Sequence, residues 1–355
     1  MSYLVLCGLL LAILAGFLQG TSVWPFKITK DICLEKFLLF NVGTAFVLIP
    51  WTIAFLWLDV PKIFQSLDLD MFLRSLLFSA GWGIANVLYL ICVIKIGAAL
   101  TGAILFALGM SVSMIMPMIL KGSGIFEKSP DLMTIAGILV VVSIVVIVLG
   151  VLILTIAGFG REKALSGKSE LERQMQASGS FIQGLILVCI AGVLSAGLSL
   201  SFIYTQDNII NAAKEQGMSK LFATPVAWSI GAMGGIIVNL IFAFFLLIKN
   251  KTLKTIFARK DEALYGFCSG FQWFVSLLCY GLGMIYLGPL GGAIGSGIQQ
   301  AVSLLSNQLV GFWGGEWKGV HGRPRQMMFC GIVIILIAIV IMSLSNQLAV
   351  DVVDK

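Results

Sequence analysis

The chain alternates long apolar runs with short polar connections. The runs fall near residues 3–23, 34–57, 71–94, 97–120, 132–157, 181–204, 221–248, 264–286, 289–313 and 327–349. A membrane-spanning helix needs about 20 apolar residues, so each run predicts one span. Barrel strands alternate polarity at every second residue, and these runs do not. The pattern therefore predicts an all-α integral membrane protein with ten transmembrane helices. Two joints between spans must be very tight: Lys95 and Ile96 separate spans three and four, and spans eight and nine meet near Gly288 and Pro289. The first run has no charged residue before it and no small-residue cleavage site, and reads as a retained helix.

Composition sharpens the class. Of 355 residues, 59% are hydrophobic and 11% charged, against about half and about a quarter in soluble domains. Mean hydropathy is +1.02. A soluble enzyme, a disordered chain and a collagen-like chain are excluded. The net charge of +6 is no nucleic-acid signal, because the 23 Lys and Arg lie almost wholly between the runs. Six of the seven cysteines lie inside apolar runs with no CxxC pair, and read as small apolar fillers. Neither a metal site nor a cofactor is expected.

Charge also orients the chain. Sixteen Lys and Arg fall in odd-numbered connections: Lys27, Lys30, Lys36, Lys95, Arg161, Lys163, Lys168, Arg173, Lys249, Lys251, Lys254, Arg259, Lys260, Lys318, Arg323 and Arg325. Six fall in even-numbered ones: Lys62, Arg74, Lys121, Lys128, Lys214 and Lys220. Positive charge stays on the cytoplasmic side. The odd connections are thus expected inside, with both termini outside. The largest connection, 158–180, is then cytoplasmic. Its composition suits a solvated linker, although Glu170, Leu171, Arg173 and Gln174 also favour a short surface helix.

An internal repeat divides the chain. Segments 8–20 (GLLLAILAGFLQG) and 184–196 (GLILVCIAGVLSA) share six of thirteen residues without gaps. Further on, Ser79-Ala80-Gly81 parallels Cys268-Ser269-Gly270, and Gly137 parallels Gly331. The reading is five spans (1–157), a linker (158–180) and five spans again (181–355). An odd number of spans inverts the second copy, which is the plan of many secondary transporters.

Six stretches carry a family resemblance: VWPFK at 23–27, LIPW at 48–51, GWGIANVLYLICVIKIGAALTGAIL at 81–105, LSAGLSLSF at 194–202, GGIIVNL at 234–240 and EWKGVHGRP at 316–324. In order and spacing they resemble the L-rhamnose–proton symporter family, within the drug/metabolite transporter superfamily. The resemblance implies ten helices in two inverted halves, a bacterial cytoplasmic membrane, and uptake of a deoxysugar with a proton. A transporter of the same fold moving another small metabolite, outward or without coupling, remains the alternative. A monomer is a plausible unit, and the sequence does not fix the oligomeric state.

An uncharged sugar needs amide and hydroxyl partners and an aromatic plate. Trp82, Asn86 and Tyr89 share one helical face in span three. Ser296, Gln299, Gln300, Ser303 and Asn307 form a polar stripe in span nine. Gln272, Trp273, Ser276 and Tyr280 lie in span eight, Gln19 in span one, and Ser195 and Ser199 in span six. The adjacent amides of Gln299 and Gln300 are the most costly to leave unbonded in hydrocarbon. Ser and Asn also bond neighbouring helices, and Trp and Tyr also anchor span ends. For proton coupling the runs contain no deep acid. Glu316, Asp207 and Lys95 at the span edges are the weaker candidates, and His321 is the single histidine. No nucleophile, metal cluster or paired carboxylates suggest an enzyme. No continuous polar pore suggests a channel.

The orientation is testable. A reporter fused after Asp354 that works only outside the cytoplasm is expected to be active, and one that works only inside is expected to be silent.

Overall fold

The computed structural model describes residues 3–22, 24–29, 32–96, 98–121, 126, 131–166, 178–288, 291–315 and 317–353. Among these residues the fold is helical throughout, with no strand. The first run is α1 (Tyr3–Thr21), followed by the short α2 (Pro25–Ile28). The second run is α3 (Leu34–Val42), a π-helical segment (Gly43–Leu48) and α4 (Ile49–Trp57). A short α5 (Val60–Gln65) leads into α6 (Leu69–Ile96), α7 (Ala98–Ile119) and α8 (Ile135–Ser166). The later runs are α9 (Ser178–Ser195) with α10 (Gly197–Glu215), α11 (Lys220–Gly231) with α12 (Met233–Lys249), α13 (Lys260–Leu287), α14 (Gly291–Trp313) and α15 (Arg323–Val353).

Seven helices are long and apolar enough to cross a membrane, or eight if the bent pair α11–α12 is one span. A shorter apolar helix covers Ile104–Ile119. Large apolar side chains such as Leu10, Leu14, Val145, Leu149, Ile186, Ile190, Ile241, Leu336 and Val340 are exposed. In water such a surface would aggregate, whereas against lipid tails it is at equilibrium. The protein is a multi-pass membrane protein.

Two expectations shift. The sixth run extends past 204, because α10 stays helical to Glu215 by burying Ile209, Ile210 and Ala213. Asp207 therefore sits inside a helix rather than after one. In the 158–180 connection, α8 continues to Ser166. Most of its suggested surface helix, within 167–177, lies outside the described residues.

Glycines set the closest approaches. A methyl group on Gly16 would overlap the Gln299 carbonyl oxygen, and one on Gly20 the Ser303 carbonyl oxygen, so α1 lies backbone to backbone on α14. Gly8 faces Leu287 and Gly283 of α13 in the same way. Their counterparts in α9 are Gly184, against Ile96 of α6, and Gly192, against Leu108 of α7. Gly150 of α8 meets Gly331 of α15, and Gly160 meets Pro324. Gly137 is not a counterpart of Gly331 in packing, because its neighbours are Asp131 and Leu132 of its own chain segment. At the α13–α14 joint Gly288 has φ +77°, which favours glycine.

Two of the runs are interrupted at mid-length. Pro50 has no N–H for the carbonyl four residues earlier, that of Phe46. The chain passes this point as the π segment Gly43–Leu48, and the Ser229 hydroxyl donates to the Phe46 carbonyl. The α11–α12 pair bends by 62° at Ala232. There the Gly231 carbonyl accepts from the hydroxyls of Ser201 and Ser75, the latter at 3.2 Å. Both interruptions are buried and hydroxyl-satisfied, as irregular backbone inside a membrane must be. Through Ser229 and Phe46 they touch each other.

Backbone crowding at Gly197 gives a clean test. A methyl there would overlap the Phe78 carbonyl oxygen, which cannot rotate away like a side chain. Gly197→Ala is expected to cost about 1–3 kcal/mol and lower the melting temperature in detergent. Gly102→Ala, with nothing within 4 Å of the added atom, should be neutral or stabilising by up to about 1 kcal/mol.

Candidate functional site

The site is built on one face of α13. Gly270, Trp273, Leu277, Tyr280 and Gly281 recur at three- and four-residue spacing, so they form one stripe. A side chain on Gly270 would meet Cβ of Thr44 at 2.8 Å, so the π segment lies directly against this stripe. Trp273 packs edge-on against Phe46, ring centroids 5.1 Å apart, and 6.1 Å from Trp82. Phe46 and Trp82 close the triangle at 5.4 Å. A second aromatic layer follows about two turns along α13. Phe202 stacks on Trp228 at 3.9 Å, and Trp228 lies 5.2 Å from Tyr280.

Three polar atoms in these layers are buried without a protein partner: the indole Nε1 of Trp273, that of Trp228, and the Thr44 hydroxyl. A buried donor left unpaired costs about 1–3 kcal/mol. Elsewhere in the centre the hydroxyls are paired. Tyr280 shares a 2.8 Å bond with Ser199 and also interacts with Ser296. Ser113 donates to Ser296 at 3.3 Å, and Gln300 donates to Ser113 at 3.1 Å. Gln299 donates to Gln19. A polar seam thus runs from α10 through α13 and α14 to α7, with α1 joined at its side.

The expected binding residues therefore separate by role. Trp82, Ser199 and Trp273 meet around the aromatic layers. Gln19, Gln299 and Gln300 join helices along the seam, and Ser303 is buried where α14 backs onto Gly16 and Gly20. Asn86 donates to Asn239 at 3.1 Å, tying α6 to α12. Tyr89 is half-buried, nearly two turns beyond Trp82. Gln272 donates to the Leu18 carbonyl and the Thr21 hydroxyl, both at 2.8 Å, and accepts from Trp24. It fastens the end of α1 to α13. Thr44 and Trp228 were not anticipated. Trp228 had a signal: an indole mid-run is far from the interface where anchors sit.

Lys95 reaches Gln183 at 3.5 Å, Asp207 is half-buried within α10, and Glu316 lies outside the described residues. Two acids at helix starts, Glu35 and Glu262, are nevertheless buried. Both lie inside helices, because α3 and α13 begin before the purely apolar stretch, where a first-turn acid suits the helix dipole. Glu262 pairs with Lys36 at 3.1 Å, their side chains 3% and 7% exposed. Arg259 approaches Glu262 at 3.4 Å. Glu35 accepts from Asn250 at 3.0 Å and Thr252 at 2.9 Å. Beside them, burial pushes the Cys33 thiol above its usual range. An open pocket of about 500 Å³ lies at the opposite end of the helices, lined by Trp57 and residues 216–219 and 222. It is separate from the aromatic layers. Among the described residues no cluster could hold a metal ion.

A family model described as L-rhamnose-proton symport protein matches residues 1–348. The chain belongs to this family. It is 28% identical over 325 residues to the L-rhamnose-proton symporter of Pectobacterium atrosepticum, covering 88% of this chain and 90% of the relative. The corresponding symporters of Citrobacter koseri and Yersinia pestis are 26% and 25% identical over the same shares. In this member of the L-rhamnose-proton symport protein family, the six motif stretches supply residues at the interruptions and at other helix contacts. They supply Trp24, Pro50, Trp82, Asn86, Ser199, Ser201, Gly235 and Asn239, together with the buried Trp317.

The Asn86–Asn239 bond separates packing from binding. Asn86→Leu is expected to cost about 0.6 kcal/mol of stability, the average for such bonds in membranes. Thermal unfolding in detergent should register that loss, while the KM for transported sugar stays unchanged.

Proposed function

We propose that the protein imports L-rhamnose or a closely related sugar together with a proton, by alternating access between two inverted five-helix repeats, 1–157 and 181–355. It is a transporter and not an enzyme. The observation that carries the sugar reading is the set of unpaired buried donors, Trp228, Trp273 and Thr44, set among aromatic faces where two interrupted helices touch. L-Rhamnose is an uncharged ring with hydroxyls and one methyl group. Its hydroxyls answer the unpaired donors, and its C–H face and methyl answer the rings. The relatives named above are symporters of this sugar with protons, and nothing in the layers favours a charged metabolite.

The repeat reading is supported by matched packing. α1 lies on α13 and α14 as α9 lies on α6 and α7, and the glycines aligned in sequence make equivalent approaches. α8 with α15 and α7 with α14 are self-matching pairs in that scheme. The interrupted second and seventh runs are the corresponding pair. Broken helices near mid-membrane at a repeat interface are where transporters of this plan hold substrate. The positive-charge distribution supports a cytoplasmic membrane with both termini outside, lipid against the exposed apolar faces, and a monomer as the working unit. One proton moving down 100 mV makes about 2.3 kcal/mol available, a sugar gradient of about 40-fold.

Trp228→Phe with Trp273→Phe tests the site, since it keeps an aromatic ring at each position and removes both N–H groups. Each lost donor is expected to raise the KM for rhamnose about fivefold, from about 1 kcal/mol per hydrogen bond. Stability without sugar should fall, because each smaller ring leaves a cavity where an indole packed. Uptake by proteoliposomes under an imposed proton gradient gives the reading. Unchanged KM would remove the layers from the substrate path, and uptake without proton movement would make the protein a facilitator.

A further inference from the structure

The Lys36–Glu262 pair has no part in binding sugar as described above, yet it is a costly object. Two opposite charges are buried in a chain whose other buried polar residues, Glu35 apart, are uncharged amides and hydroxyls. Desolvating such a pair often outweighs its attraction, so a well-packed apolar pair would serve stability at least as well. Ionisable groups in membrane helices most often mark ion pathways. This one joins the two proposed halves, with Lys36 on α3 and Glu262 on α13. Other ties across the same boundary gather at the same end, the one expected to face the cytoplasm. They are Glu35 with Asn250 and Thr252, Trp24 with Gln272, and Trp24 against Tyr265 at 5.6 Å.

The pair is also connected to the aromatic layers. On α13, Glu262, Gly266, Ser269 and Trp273 recur at four- and three-residue spacing, so the carboxylate and the indole share a face about 16 Å apart. On α3 and the π segment, Lys36, Phe40 and Thr44 do the same. Between the two ends, Asn41 donates to Ser269 at 2.9 Å, and Ser269 donates to the Ser22 carbonyl at 2.9 Å. Polar groups therefore mark the way from the unpaired donors to the ion pair.

We propose that Glu262 carries the coupled proton and that Lys36 is its counter-charge in the closed inner gate. The inference rests on proton-coupled uptake as read above. With Glu262 ionised, the pair clamps α3 to α13 and holds the cytoplasmic end shut. A proton arriving from outside through the substrate site forms an O–H bond on the carboxylate and cancels its charge. Lys36 then has no counter-ion and the clamp opens. The proton leaves to the cytoplasm, the carboxylate re-forms and the pair closes again. One proton is taken up and one released, with no electrons moved. Among the described residues, the charged and titratable groups facing Glu262 are Lys36, Glu35 and Cys33 from the second run and Arg259 from its own helix start. Asn250 and Thr252, at the end of α12, hold Glu35.

The test uses the full chain reconstituted in liposomes, with rhamnose as the probe. Two signals are recorded: rhamnose-dependent proton entry, and exchange of labelled for unlabelled rhamnose at equal pH on both sides. Glu262→Gln is expected to keep exchange and lose both proton entry and accumulation. Glu262→Asp should keep coupling with a displaced pH profile. Normal proton-driven accumulation by Glu262→Gln overturns the proposal. So does loss of exchange together with coupling, which a purely structural ion pair would produce. If Glu262→Gln fails to insert, Glu262→Asp decides, because a wild-type pH profile there overturns the proposal and a displaced one supports it. A wild-type protein that exchanges rhamnose without proton entry instead defeats the symport reading itself.

Discussion

Inside a bilayer no water is present to receive a peptide hydrogen bond, so each backbone group must find its partner within the protein. The centre of this molecule is arranged around that constraint. Pro50 takes away the helical donor to the Phe46 carbonyl, and the bend at Ala232 exposes that of Gly231. Three serines, Ser75, Ser201 and Ser229, donate where the helix does not. Each of those serines comes from a different helix, α6, α10 or α11, so satisfying the backbone also locks several helices around one point. Leaving those carbonyls bare would cost several kcal/mol each. The aromatic layers then fill the widened space, because bent helices cannot pack side by side as straight ones do.

The glycine contacts serve the same centre from outside it. α1 and α9 lie so close to their partners that single methyl groups would collide with carbonyl oxygens or core side chains. Lipid offers apolar side chains no reason to leave it, so close van der Waals contact and interhelical hydrogen bonds hold such helices together. Gln19 with Gln299 and Gln272 with Thr21 add hydrogen bonds along those seams.

Much of this was legible in the sequence, and the boundary of legibility has physical causes. Apolar runs located the helices, since length and polarity alone decide what lipid accepts. Gly8, Gly16, Gly184 and Gly192 mark the repeat in sequence, and only the fold displays that they are points of close helix approach. The roles of the polar residues were harder. Gln299 and Gln300 looked like ligands because paired amides are costly in hydrocarbon, but that cost is met equally by Gln19 and Ser113. Trp228 and Thr44 passed unnoticed because their distinction is a missing partner, which only three dimensions display. Glu262 precedes the apolar run at 264–286, and only the fold displays that α13 starts at Lys260 and shelters it against Lys36.

The pair α8 and α15 stands apart from the aromatic layers and is unusually long. The two helices have 32 and 31 residues, which at 1.5 Å per residue is roughly 47 Å, against a hydrocarbon core of about 30 Å. Such helices must tilt or project beyond the membrane. Because they are packed against each other through Gly150 and Gly331, they tilt together or not at all. Bilayer thickness therefore acts on these two helices as on one strut. A change of lipid chain length would lean that strut against α7 and α14 beside it.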